Sequence, residues 1–243
     1  MKGLRNFIKS FVDLIYPPAC PGCRKPLPRV AVDDTICLSC WSRITVNRPP
    51  FCHACGRRLT RGDINKNMCL RCARVPKAFD RAFSACVYDG VIKTLIHEFK
   101  YKDKQYLGKP LSKLLIDFIK RYDLPVGYID YLVPVPLHRA KLREREFNQA
   151  EILCREVGST IGKPTLENNL FRCRATDTQA AREPRQRLLN VRGSFAVKEK
   201  RSVTGRNLLL IDDVLTTGAT ASEAAQALKD AGANIIFVLA LAS

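Results

Sequence analysis

Near the C-terminus the chain reads NLLLIDDVLTTGATA, which spans residues 207–221. The continuous apolar run at residues 208–211 predicts a strand that is buried on both faces of a parallel sheet. Asp212 and Asp213 follow at the carboxyl end of that strand. The threonine-rich turn at residues 216–220 then leads into a helix that ends near Gly232. A second apolar run at residues 235–241 predicts the next strand, and this order indicates an α/β sheet.

The same stretch also predicts a binding site. Ligands of open α/β sheets lie beyond the carboxyl ends of the strands, where free N–H groups and the dipole of the next helix favour a phosphate. The predicted phosphate-binding residues are Thr216, Thr217, Gly218, Ala219 and Thr220. Asp212 and Asp213 would repel a phosphate, so they favour Mg²⁺ or a ribose diol beside it.

A phosphate, a diol and a metal ion together describe a phosphoribosyl group. The segment closely resembles the loop that binds 5-phosphoribosyl 1-diphosphate (PRPP) in type I phosphoribosyltransferases. The alternative is a helix N-terminus with an acidic cap and no ligand.

The composition suits a globular protein with an anionic partner. A chain of 243 residues with 46% apolar residues fits one large domain, or one medium domain with a small one. The formal net charge of +18 favours nucleic acid, phosphorylated substrates or an acidic membrane surface as partners. A generally basic, well-solvated surface is the alternative. We divide the chain into an N-terminal helix (1–17), a cysteine-rich head (18–75) and an α/β domain (76–243).

The first 16 residues predict a short amphipathic helix, because apolar residues recur at helical spacing. Lys9, Ser10 and Asp13 interrupt the apolar run, which argues against a signal peptide. The chain contains no run of about eighteen apolar residues that would predict a transmembrane segment. We therefore expect a cytoplasmic protein, with peripheral attachment at the inner membrane as the alternative.

Eight of the eleven cysteines form four C-x-x-C pairs. The paired cysteines are Cys20, Cys23, Cys37, Cys40, Cys52, Cys55, Cys69 and Cys72. Thirteen residues separate Cys23 from Cys37, and thirteen separate Cys55 from Cys69. This internal repeat predicts two zinc ribbons in tandem, each with four thiolates around one Zn²⁺ ion.

The spacing leaves several alternatives for these cysteines open. The repeat favours sequential pairing, with the first four cysteines on one ion and the last four on the other, and crossed pairing of alternate knuckles is the alternative. Iron–sulfur ligation uses the same residue type, and disulfides are disfavoured without a secretory signal. His53 lies inside the third knuckle and is expected at the surface. Such a head is either structural or a nucleic-acid binder.

The middle of the chain predicts a second group of phosphate ligands. Strands are expected at residues 79–88, 132–133 and 166–171, and helices at 91–99 and 107–122. Pro134 and Pro136 stiffen the chain after the second of these strands. The cations crowded before the next helix suit a diphosphate leaving group, and the alternative is a solvated basic face. The candidates for the diphosphate are Pro136, Arg139 and Lys141, with Lys100 as a weaker one.

Residues 172–187 are polar and strongly cationic, and they predict a mobile loop that closes over phosphates. A further strand is expected at residues 190–195. Cys86 and Cys154 lie in apolar surroundings and are expected to be small buried hydrophobes.

The whole set of motifs resembles one family. Besides the four knuckles and the PRPP-type loop, the chain contains FKY at 99–101, VPVPLH at 133–138, RER at 143–145 with FNQ at 147–149, and QRL at 186–188 with NV at 190–191. This combination looks like the ComF family, double-zinc-ribbon proteins with a phosphoribosyltransferase-like domain that are linked to natural competence. The chain departs from the family pattern at Glu146, where glycine is expected, and this puts the shape of that turn in doubt.

The resemblance implies a doubly wound, type I phosphoribosyltransferase-like parallel sheet behind a double zinc ribbon. It also implies PRPP with Mg²⁺ as ligand and DNA uptake as the biological role. In a phosphoribosyltransferase, Asp212 and Asp213 would lie near the oxocarbenium-like charge when diphosphate leaves C1 of the ribose. Two readings follow: a DNA-uptake factor that binds single-stranded DNA and uptake-machinery proteins, and a phosphoribosyltransferase of nucleotide metabolism or salvage without a DNA role. The sequence indicates no acceptor pocket and no general base.

Overall fold

The computed structural model describes residues 18–59, 62, 67–174 and 193–243. The predicted helix at residues 1–17, most of the predicted cationic loop, and the motifs at residues 186–191 lie outside the described residues. None of the described helices has the length and apolar character that a membrane span requires.

The head contains only short elements. They are β1 (Ala31–Val32), β2 (Ile36–Cys37), α1 (Leu38–Ser42) and α2 (Leu70–Arg74). The α/β domain follows with β3 (Arg81–Cys86), α3 (Gly90–Glu98), α4 (Gly108–Arg121), β4 (Tyr131–Pro134), α5 (Arg139–Arg145), α6 (Gln149–Ile161), β5 (Leu170–Arg172), β6 (Phe195–Val197), β7 (Leu208–Val214), α7 (Ala219–Asp230) and β8 (Ile236–Ala242).

The central sheet has four parallel strands in the order β3-β8-β7-β4. Helices α4 and α6 pack on one face, and α7 packs on the other together with β6. Helices on both faces of a parallel sheet confirm the predicted doubly wound architecture.

Burial of β7 explains why its sequence is a continuous apolar run. Leu209 and Ile211 belong to the core under α4 and α6, whereas Leu208 and Leu210 belong to the core under α7. Successive side chains of a strand point to opposite faces, so a strand covered on both sides needs apolar residues at every position.

Two predicted features differ from the structure. The strands expected at 166–171 and 190–195 are found at Leu170–Arg172 and Phe195–Val197, where they form an antiparallel pair outside the main sheet. The basic stretch expected to precede a helix is itself the short helix α5, which ends at Glu146 in a left-handed conformation with φ +63°, and the expected helix is α6. Cys86 and Cys154 are fully buried, as predicted.

The head covers one edge of the sheet. Val46 forms an antiparallel bridge with Cys86 of the edge strand β3, and Val87 N–H donates to the Thr45 carbonyl at 2.9 Å. The Asn47 amide Nδ2 donates to the carbonyls of Gly56 at 3.0 Å and Ser84 at 3.1 Å. This pairing satisfies backbone groups that an uncovered edge strand would expose.

We expect Asn47→Ala to lower the free energy of unfolding by about 2 kcal/mol, because two buried carbonyls would lose their donor. Urea denaturation of the zinc-loaded protein measures this loss. Asn234→Ala is the control, since the Asn234 side chain bonds Asn207 at the exposed surface and should change stability by less than about 0.5 kcal/mol. Equal stability of the Asn47 variant and the wild type would show that the contact between the head and β3 does not depend on this side chain.

Candidate functional site

The acidic pair lies at the carboxyl end of the central strand β7, as the sequence predicts. The Asp213 backbone N–H donates to Asp212 Oδ1 at 2.8 Å. Lys100 Nζ lies 3.0 Å from Asp213 Oδ2, so a cation from the segment after α3 pairs with one of the two acids. Burial, followed by the neighbouring charge of Asp213, raises the pKa of Asp212.

The threonine-rich loop connects β7 to α7 and ends in a left-handed glycine at the start of the helix. Gly218 has φ +71° and caps the helix, and this backbone conformation is rarely open to other residues. The Thr217 hydroxyl Oγ1 accepts a hydrogen bond from Ala219 N–H at 3.3 Å. The other N–H groups of the first turn point out of the helix end, where an anion is favoured.

A cluster of cations lies beside the acidic pair. Burial, followed by the charges of Arg145, Arg172 and Lys100, lowers the pKa of Lys141. Burial also lowers the pKa of Arg172, and the charge of Asp212 partly offsets this effect. Three elements of the chain therefore bring their cations to the end of β7. A cluster of this kind suits the several negative charges of a diphosphate.

The structure brings two of the predicted diphosphate residues together. Lys100 and Lys141 belong to the cluster, whereas Arg139 is exposed at the start of α5. Pro136 follows Val135, whose N–H donates to the Ile211 carbonyl beside Asp212 at 2.9 Å. The binding roles of all these residues stay predictions.

The FNQ motif at residues 147–149 holds the loops of the site in place. Asn148 Nδ2 donates to the Val135 carbonyl at 3.1 Å, next to Pro136. Gln149 Nε2 donates to the Phe99 carbonyl at 3.3 Å, next to Lys100, and Gln149 Oε1 accepts from Arg145 at 3.2 Å. Both side chains are almost fully buried, so they fix the two backbone segments that carry the candidate phosphate ligands.

Glu146 shows why the family pattern has glycine at this position. Its left-handed conformation closes α5, with its N–H donating to the Leu142 carbonyl at 2.7 Å. Glycine adopts this conformation without steric cost, but the turn forms here with glutamate. A left-handed turn therefore forms at this position despite the departure in sequence.

Sequence reasoning missed two residues of the head. Arg57 Nη2 lies 3.3 Å and Arg71 Nη1 lies 3.1 Å from the carbonyl oxygen of Thr216. The second ribbon therefore borders the predicted phosphate loop. The two arginines are 159 and 145 residues from Thr216 along the chain. The only local signal is that each arginine lies within two residues of a knuckle cysteine.

The eight cysteines form two groups of four, Cys20, Cys23, Cys37 and Cys40, and Cys52, Cys55, Cys69 and Cys72. Within each group the sulfur atoms lie within 4.8 Å of one another. The sulfurs of Cys23 and Cys37, and those of Cys55 and Cys69, are 3.8 Å apart. Tetrahedral Zn–S bonds of about 2.3 Å place sulfurs about 3.8 Å apart, so the donor sets fit Zn²⁺. The grouping is sequential, and His53 is exposed outside both groups.

The two ribbons share the spacing of their cysteines and a backbone bond to the first sulfur of each group. Each residue of the second lies 32 positions after its counterpart, as Cys52 does after Cys20. Cys37 N–H donates to Cys20 Sγ at 3.5 Å, and Cys69 N–H donates to Cys52 Sγ at 3.4 Å. Backbone N–H groups directed at sulfur stabilise the thiolate form that binds metal.

One comparison with known proteins matches the cysteine-rich head to a domain family. Residues 11–73 match the model of the double zinc ribbon domain family. The structure of glutamine PRPP amidotransferase from B. subtilis, complexed with ADP and GMP, overlaps with a TM-score of 0.41 at 16% identity, over 61% of this chain and 30% of that one.

Two relatives cover most of the chain. The DNA utilization protein YhgH of Salmonella typhi is 30% identical over 168 residues, which are 68% of this chain and 73% of the relative. Competence protein F of Haemophilus influenzae is 29% identical over 156 residues, which are 62% of this chain and 67% of the relative. With the parallel sheet and the double zinc ribbon, this similarity shows that the chain belongs to the ComF family.

Proposed function

We propose that this protein binds PRPP with Mg²⁺ at the end of β7 and acts in DNA uptake, where it binds single-stranded DNA. The names of its relatives, a DNA utilization protein and a competence protein, support the DNA role. The order of chemical groups along and around residues 212–220 supports the ligand.

The observation that carries the proposal is the arrangement of charges around β7. Two carboxylates lie between a loop suited to a phosphate and a cluster of cations suited to a diphosphate. PRPP presents its groups in the matching order, with a 5′-phosphate at one end, a ribose diol in the middle, and a diphosphate at the other end. Asp212 and Asp213 would hold the Mg²⁺ that accompanies the diphosphate, because this ion prefers carboxylate and phosphate oxygens.

The ion pair between Lys100 and Asp213 fits a site in which Lys100 changes its partner when a ligand binds. Without a ligand, Lys100 neutralises one of two adjacent acids. If Asp212 and Asp213 held Mg²⁺ beside bound PRPP, Lys100 would be released from Asp213 and become available to the diphosphate. Burial, and then the charge of Asp213, raise the pKa of Asp212, so an added cation beside the pair would stabilise its ionised form.

The exposure of the aromatic side chains decides which of the four candidates could stack on a base of DNA. Trp41, Phe51, Phe147 and Tyr101 all lie near basic residues in the sequence. Trp41 and Phe51 pack against the core, and Phe147 is buried. Tyr101 is 52% exposed and follows Lys100 directly. Since bases stack on exposed aromatic rings beside cations, we assign the stacking role to Tyr101.

We expect calorimetric titration of the zinc-loaded protein to detect binding of PRPP with Mg²⁺, and we expect Asp212→Asn/Asp213→Asn to abolish it. The reason is that the double variant removes both carboxylates available to the metal and the diol. Asp117→Asn/Asp230→Asn is the charge-matched control, since both acids are exposed on helices, and it should bind like the wild type. A folded wild type that does not bind PRPP would refute the ligand.

We expect Asp212→Asn to raise the free energy of unfolding near pH 7.5 and to raise it less as the pH falls. A carboxyl whose pKa is raised by folding is protonated more readily in the folded state, so its ionised form destabilises the fold above that pKa. Asparagine stays neutral, and the two proteins should converge towards the unfolded pKa of about 3.9. Urea denaturation at pH 7.5 and 5.5 provides the comparison. A variant less stable than the wild type at pH 7.5 would contradict a destabilising acidic pair.

We expect Tyr101→Ala to weaken binding of an oligothymidylate by about tenfold, because one stacked base would lose its platform. Tyr128→Ala is the matched control, because Tyr128 is 77% exposed but precedes β4 at the opposite end of the sheet. Fluorescence anisotropy with a labelled oligonucleotide measures both affinities.

The same titration tests the electrostatic part of the DNA role. For a site that contacts about four phosphates, affinity should fall by about 50-fold between 50 and 200 mM salt. If the wild type does not bind the oligonucleotide at 50 mM salt, the DNA role is refuted. If Tyr101→Ala and Tyr128→Ala lose affinity equally, Tyr101 does not have the stacking role.

A further inference from the structure

The second zinc ribbon lies against the loop that the proposed function assigns to the 5′-phosphate. Arg57 and Arg71 both donate to the same backbone oxygen, that of Thr216, at 3.3 and 3.1 Å. Residues of this ribbon and of the loop line one narrow groove, which includes Cys55, Thr217 and Gly218. Two guanidinium groups on one carbonyl restrain its direction more strongly than one ordinary hydrogen bond would.

We propose that Arg57 and Arg71 are positioning residues for the phosphate, which they act on through the Thr216–Thr217 peptide. This inference rests on the proposed function, because it assigns a role within the same anion site. It extends that function from the α/β domain to the second zinc ribbon, which forms the outer wall of the site.

The planarity of the peptide bond explains how the arginines act at a distance. In a trans peptide the C=O and the N–H that follows it point in opposite directions. Arginines that hold the Thr216 carbonyl towards the ribbon therefore turn the Thr217 N–H away from the ribbon. The next residue, Gly218, has φ +71°, and successive N–H groups in such a turn form a concave anion site. The arginines thus keep the first donor of this site directed inward.

The ribbon that carries the arginines is fixed both to its metal site and to the sheet. The Arg57 carbonyl accepts from Cys52 N–H at 2.7 Å, and Arg71 lies in α2 between Cys69 and Cys72. Gly56 packs so closely on β3 that a Cβ atom there would lie 2.4 Å from the Ala82 carbonyl oxygen. The two guanidinium groups therefore extend from a rigid support, and metal binding maintains it.

The first ribbon shows that the fold of a ribbon does not require these arginines. Lys25 and Ser39 occupy the equivalent positions, 32 residues earlier. Arg24, the counterpart of Gly56, pairs instead with Glu98 at the end of α3. Ribbon stability explains the shared cysteines and backbone bonds. Ribbon stability does not explain why arginines occupy these two positions in the second ribbon, which contacts the loop, and not in the first.

The test compares ligands that contain different parts of PRPP. We expect Arg57→Ala/Arg71→Ala to weaken binding of ribose 5-phosphate, and of PRPP with Mg²⁺, by about tenfold, because the carbonyl loses two charge-assisted bonds. Affinity for inorganic diphosphate with Mg²⁺ should not change, since the cations around Lys141 bind it. Lys25→Ala/Ser39→Ala is the matched control in the first ribbon, and it should bind all three ligands like the wild type. Zinc content of two ions per chain confirms that each variant keeps its ribbons.

The outcomes separate this inference from the function on which it rests. If the wild type binds neither ribose 5-phosphate nor PRPP, the proposed ligand is wrong and the positioning role falls with it. If the wild type binds and the double arginine variant binds equally well, only the positioning role is overturned. If the double arginine variant loses affinity equally for ribose 5-phosphate and for diphosphate, the positioning role is also overturned, because the substitutions would then have disturbed the whole site.

Discussion

The structure depends on holding two adjacent carboxylates at the end of a buried strand. Asp212 and Asp213 repel each other, and burial makes ionisation of Asp212 still less favourable. Cations from several segments lie near the pair. Lys100 pairs with Asp213, and Lys141 lies close enough to Lys100 and Arg172 for their charges to interact. A buried carboxyl with a raised pKa lowers the stability of the fold, so the presence of Asp212 at the end of β7 supports the proposed ligand site.

The head contributes to this arrangement by completing the sheet. An edge strand exposes unpaired N–H and C=O groups, and β3 would do so without residues 45–47. The first ribbon merges with the core under α4, since Cys20, Ile36 and Ile44 pack in the same cluster as Phe83 and Leu115. The second ribbon has a small cluster of its own around Leu59. Metal binding, which organises both ribbons, is thereby coupled to the geometry of the α/β domain.

The sequence could predict the parts of the structure that local patterns determine. The apolar run at 208–211 predicted a strand with two buried faces, and the repeated knuckles predicted two four-cysteine groups, because spacing along the chain sets both. Local patterns could not place Arg57 and Arg71 beside Thr216, since only tertiary packing joins residues so far apart. Nor could they tell that Phe51 packs on Phe118 at 5.8 Å while Tyr101 is exposed, because both aromatic residues have basic neighbours in the sequence. The predicted ligand roles of residues 216–220 are still untested.

The two zinc ribbons have the same fold but contact different parts of the α/β domain. Both copies keep the cysteines and the backbone bonds that hold a metal, because a ribbon of this size has almost no other core. Their remaining positions are free to differ. The first copy uses Arg24 to reach Glu98 and so braces α3, the helix that leads to Lys100. The second uses Arg57 and Arg71 to reach Thr216. The two ribbons therefore support opposite ends of the proposed site, the diphosphate end and the 5′-phosphate end, and this division gives a physical reason for a ComF chain to carry two.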